Sequence, residues 1–159
     1  MILYHGSNIE VTAPRILPSD RKLDFGTGFY LTSSRSQAER WAQLTTARRK
    51  TGQPTITAFI FAEDRIKQLS TLIFDKPDES WLRYTADNRR KSDASDTYDL
   101  VIGQVANDRT APVIALYYAG IYDEAEAIRR LLPQKLCDQY AFKTDRALAC
   151  ISPREVIRL

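Results

Sequence analysis

The chain has 159 residues, 43% hydrophobic and 27% charged, with 23 Lys and Arg against 20 Asp and Glu and a net charge of +3. That length predicts one domain, 1–159, and the composition excludes disordered, collagen-like and disulfide-scaffold classes. The mild basicity permits an anionic ligand or a nucleic acid without requiring either.

Ile2, Leu3 and Tyr4 are strand formers and predict a buried first strand. His5, the sole histidine, falls at its end, and Gly6 and Ser7 follow. Glycine there lets the backbone come close to a ligand, and an imidazole beside exposed amides suits a polar small molecule. No basic region followed by an apolar stretch marks this end as a leader, so the cytoplasm is the expected compartment. The irregular run 8–23 reads as a loop carrying Arg15, Arg21 and Lys22.

In 24–32, Gly26 and Gly28 punctuate a turn, and 29–32 reads as a short strand. The Asp-Phe-Gly triplet at 24–26 lacks the other kinase signatures and carries no kinase reading. A helix follows. Either Ser34 with Gln37 or Ser36 with Glu39 has capping-box spacing, Ala38, Trp41, Ala42 and Thr45 form a packing face, and Arg48, Arg49 and Lys50 suit the end of the helix dipole. Gly52 and Pro54 end it.

Residues 55–61 predict a strand and 72–74 a shorter one. Pro77 opens a second helix that packs Trp81, Leu82 and Tyr84 and exposes 87–91, followed by a polar loop at 92–97. A strand over 98–103 leads into a turn at 106–109. Helices are expected over 114–119 and 124–132, divided near Gly120. The apolar run 111–122 contains Pro112 and Gly120 and is too short to span a bilayer, so no membrane partner is expected. Cys137 and Cys150, with one histidine, are too few for zinc and read as reduced; no metal site is expected. An aromatic-alternating strand begins at Gln139, with a helical turn at 144–149 and a closing strand at 155–159. Strands with helices between them, without regular βαβ alternation, predict an α+β fold.

Three stretches together resemble the ADP-ribosyltransferase superfamily, in the branch of the poly(ADP-ribose) polymerases and diphtheria toxin with its His, Tyr, Glu signature. Tyr4-His5-Gly6-Ser7 is similar to the first motif, Gly26-Thr27-Gly28-Phe29-Tyr30-Leu31 to the second, and Asp138-Gln139-Tyr140-Ala141-Phe142 to the third. The third departs from the pattern: Gln139 stands where most members place glutamate. The chain as a whole also resembles the bacterial domain of unknown function 3990 family within that superfamily.

The resemblance implies a split β-sheet with flanking helices and NAD as co-substrate. It implies that His5 bonds a ribose hydroxyl, that Gly6 and Ser7 help hold the dinucleotide, and that Tyr30 stacks on nicotinamide. Trp41 is either a second aromatic wall or core, and Arg15 or Arg21 pairs with the pyrophosphate. His5, Tyr30 and Gln139 would be the catalytic set and should converge on one cleft. Glutamine supplies neither full negative charge nor a general base; Asp108 or the acceptor would then supply what is missing. On strand alternation, Gln139 rather than Asp138 faces the sugar, and Gln139→Glu is expected to keep or raise NAD turnover. The implied activity is mono-ADP-ribosyl transfer to a protein or nucleic-acid acceptor, as in a bacterial toxin or defence effector with an antitoxin or immunity partner. The alternative is a non-catalytic module that binds a nucleotide or a partner in the same cleft.

Overall fold

A computed structural model describes residues 1–18, 22–90, 97–107 and 109–159. Two small sheets organise the chain. In the first, β3 (Thr55–Phe61) lies between β1 (Ile2–Ser7) and β7 (Ile151–Arg158), both antiparallel to it. The second has the order β2 (Phe29–Leu31), β6 (Asp138–Phe142), β5 (Leu100–Gln104), β4 (Thr71–Ile73), antiparallel except for the β4–β5 pair. The mixture is α+β, as the pattern predicts.

The sheets meet at one point. Tyr4 and Thr32 exchange backbone hydrogen bonds of 2.8 and 3.0 Å, and beyond that bridge β1 and β2 part. Leu3, Phe59 and Phe61 of the first sheet and Phe29, Leu31, Leu100 and Phe142 of the second form one core. A second core lies on the other face of the second sheet, where Val101 and Ala141 meet Phe25, Phe74, Trp81, Leu82, Ile114 and Leu131. It is covered by α2 (Glu79–Arg90), α3 (Ala111–Tyr118) and α4 (Glu124–Leu131).

Helix α1 (Arg35–Arg49) starts where the first of the two capping alternatives puts it: Ser34 Oγ accepts from Gln37 N at 3.2 Å. It ends at Lys50, whose φ of 54° is left-handed. Its buried Ala38 and Ala42 rest on β1 so closely that a Cβ on Gly6 would stand 2.0 Å from the Ala38 carbonyl oxygen. Only glycine permits that approach. The short α5 (Asp145–Leu148) is capped by Thr144 and leads into β7.

Three sequence expectations need correction. The closing strand begins at Ile151, because β7 follows β3 along its whole length. The 87–90 segment is not a uniformly exposed helix end: Asn88 is buried, and Arg89 turns inward to a carboxylate. The 114–119 helix starts earlier, at Ala111, since Pro112 occupies the first turn where its missing N–H costs nothing. Lys91 and most of the loop expected at 92–97 lie outside the described residues. Among the described residues no helix is long and apolar enough to cross a membrane.

Candidate functional site

The opening between β1 and β2 is where the candidate residues gather. Along a strand, alternate residues turn their backbone N–H and C=O to the same side. Tyr4 commits both groups to Thr32 across the junction. Gly6, two residues on, therefore directs its own N–H and C=O towards the gap, where neither finds a backbone partner among the described residues. This is an adjacent donor and acceptor, on rigid backbone, at the mouth of the split.

Because Tyr4 pairs with Thr32, the α1-covered face of β1 continues onto the face of β2 that carries Tyr30. Tyr30 is partly exposed, and its hydroxyl donates to Gly26 O at 2.6 Å and accepts from Phe25 N at 3.2 Å. The ring is thus braced against the turn that the two glycines make. Trp41 projects from α1, half-buried, with no hydrogen bond or ring partner among the described residues.

Gln139 shares the Tyr30 face, since Tyr30 pairs with Ala141 two residues along β6. It is buried. Its Nε2 donates to Asp24 Oδ2 at 3.0 Å and to Gln104 O at 3.1 Å, while no partner is found for Oε1. Asp24 also accepts from Ala106 N at 2.8 Å and pairs with Arg89 at 2.6 Å. The amide orientation is therefore fixed, nitrogen inward and oxygen outward.

His5 arrives from the other side. Its ring stacks on Phe29 with centroids 4.4 Å apart, and Phe29 alternates with Tyr30 along β2. Nδ1 lies 2.9 Å from the Tyr30 carbonyl oxygen, which can only accept, so Nδ1 carries the proton and Nε2 keeps its lone pair. Burial pushes the imidazole below the usual histidine range; the Tyr30 bond opposes this and nearby Arg49 adds to it. The structure joins His5 to Tyr30 and Gln139 to Asp24. It does not join the two pairs by a hydrogen bond, and the His5 and Gln139 side chains leave opposite faces of the strands.

Ser7 is buried, and its hydroxyl lies 3.5 Å from Asn8 Oδ1. Arg15 is exposed, without a hydrogen bond or ion pair among the described residues. Arg21 and Asp108 lie outside the described residues. Asp138 is occupied with Thr32, Ser33 N and the Ser33 hydroxyl. Among the described residues no group of three His, Cys, Asp or Glu side chains is placed to hold a metal ion.

Sequence reading missed Asp24 and Arg89. Asp24 lies 115 positions from Gln139, and only the fold brings the two together. The available signal was a charged residue beside an aromatic and a glycine in a turn already singled out. Compared with known proteins, residues 1–152 match the family model described as protein of unknown function (DUF3990). No curated protein and no solved structure matches.

Proposed function

We propose that this chain, which belongs to the DUF3990 family, is an NAD-dependent mono-ADP-ribosyltransferase of the ADP-ribosyltransferase superfamily, with its site at the split between the two sheets. The observation that carries the reading is the Gly6 backbone pair. A primary carboxamide offers one donor face and one acceptor face, and an N–H and C=O fixed side by side are its complement. Nicotinamide is an aromatic carboxamide, and aromatic surface from Tyr30 and the partner-free Trp41 borders the same face.

The remaining groups fit a ribose. A neutral His5 presents Nε2, and Gln139 presents Oε1, each an acceptor for a sugar hydroxyl. In the reaction the bond between nicotinamide and the anomeric carbon breaks, and the electron pair leaves with nicotinamide. The acceptor's lone pair forms the new bond and its proton is released. The developing positive charge on the sugar resembles that of glycoside chemistry.

One observation favours the binding-module alternative. Asp24 is paired with Arg89, so the carboxylate behind Gln139 adds no net charge to stabilise a cationic sugar. Incubation with NAD labelled on its adenylate half and with lysate, followed by separate recovery of protein and nucleic acid, decides between them. Label on either fraction, lost in His5→Ala and Tyr30→Ala, supports the transferase. Saturable binding without label or nicotinamide release supports the module.

A further inference from the structure

Arg49 stands at the end of α1, next to the mouth of the split, in a setting unlike that of most arginines in this chain. Its Nη1 donates to Asn8 Oδ1 at 3.0 Å, and it has no acidic partner among the described residues. By contrast Arg35, Arg83, Arg89, Arg129, Arg130 and Arg158 each pair with a carboxylate.

The residue that holds Arg49 is itself rigid. Asn8 is buried, its Nδ2 donates to Thr51 O at 3.0 Å, and its carbonyl accepts from Gln53 N at 2.9 Å. The Gly52 backbone lies against it so closely that a Cβ there would meet the Asn8 oxygen at 2.1 Å. A neutral amide therefore fixes one corner of the guanidinium without neutralising it, and leaves the rest of the planar donor fork uncommitted. The charge is also near enough to His5 to make that imidazole harder to protonate.

Position supplies the rest. Asn8 follows Gly6 by two residues, and strand rise sets them about 7 Å apart. That is the breadth of one ribose, so a carboxamide read at Gly6 would bring the phosphates of the same dinucleotide to Asn8 and Arg49.

We infer that Arg49 is the residue that grips the pyrophosphate of the dinucleotide, with Asn8 as the group that orients it. The assignment rests on the NAD reading above and replaces Arg15 in this role. The guanidinium fork meets phosphate oxygens with parallel N–H bonds, which a lysine cannot reproduce.

Calorimetry with wild type, Arg49→Gln and Arg49→Lys against NAD, ADP-ribose and nicotinamide tests it, with thermal melting to confirm that each variant is folded. Arg49→Gln is expected to weaken NAD and ADP-ribose roughly ten- to a hundredfold and leave nicotinamide unchanged. Arg49→Lys should fall between. Equal NAD affinity in wild type and Arg49→Gln overturns the assignment while the NAD reading stands. Arg49-dependent binding of ADP-ribose with no binding of nicotinamide keeps the assignment and removes the reading of the Gly6 end. If wild type binds none of the three, both fall.

Discussion

Gln139→Glu, which would restore the residue most of the superfamily carries, should destabilise the protein and fail to raise NAD turnover. The sequence alone favours the opposite outcome; Asp24 reverses it. Gln139 Nε2 donates to Asp24 Oδ2 at 3.0 Å and to Gln104 O at 3.1 Å, and both are acceptors. A carboxylate in that place would lose both bonds and meet a like charge. At 3.0 Å and an effective dielectric near 20, two carboxylates repel by about 5 kcal/mol, reduced by the Arg89 pair. Protonation caps the cost. Holding a glutamate neutral against an ordinary pKa of about 4.3 takes about 4 kcal/mol near pH 7.5 and about 1 kcal/mol near pH 5. The introduced group has its folded-state pKa raised, so the fold is favoured when it is protonated, and the penalty grows as pH rises above its unfolded value. Urea unfolding of wild type and variant should differ by about 3–4 kcal/mol at pH 7.5 and by about 1 kcal/mol at pH 5. Equal stability at both pH values, or a variant that outpaces wild type on NAD, would refute the reasoning.

Gly6→Ala should cost about 3 kcal/mol or more by thermal melting, because the new methyl meets helix backbone at 2.0 Å and the helix must move; unchanged stability would contradict the packing. Tyr30→Phe removes the bonds to Gly26 and Phe25 and should cost about 1–2 kcal/mol in urea unfolding, whereas Tyr30→Ala should also weaken NAD binding by about 1 kcal/mol. His5 is held below the usual histidine range chiefly by burial, so its neutral form supports the fold above about pH 6.5 and that support is lost as pH falls through the lower folded value. NAD affinity should drop on the same acid limb, and His5→Gln should flatten it in a pH titration. Asp99 is held low by the Thr144 hydroxyl at 2.7 Å, so its contribution stands above the usual aspartate value and disappears in stronger acid. The stability gap between wild type and Asp99→Ala should be constant above about pH 5 and narrow towards pH 2.

Local pattern made much of the fold legible. The Ser34 cap, the apolar alternation of β3 and the aromatic pair Tyr140 and Phe142 of β6 each act through residues adjacent in sequence. The boundary of β7 was not legible, because Pro153 and the charged residues after it look unlike a strand until β3 supplies the ladder. At the site, the identities of His5, Tyr30 and Gln139 were readable from motif order, but their surroundings were not. Alternation correctly separates Gln139 from Tyr140 and Phe142, yet it treats only one face as core. The second core under α2 to α4 encloses that face as well, and Gln139 is tied to an aspartate–arginine pair that no spacing announces.

Calorimetric titration of the purified protein with NAD, repeated with nicotinamide as competitor, tests the central claim most directly. Saturable binding that nicotinamide displaces, weakened in Trp41→Ala as well as Tyr30→Ala, is the expected result. Absence of NAD binding by folded wild-type protein, or binding that neither aromatic substitution nor nicotinamide alters, would contradict a nicotinamide site at the split between the sheets.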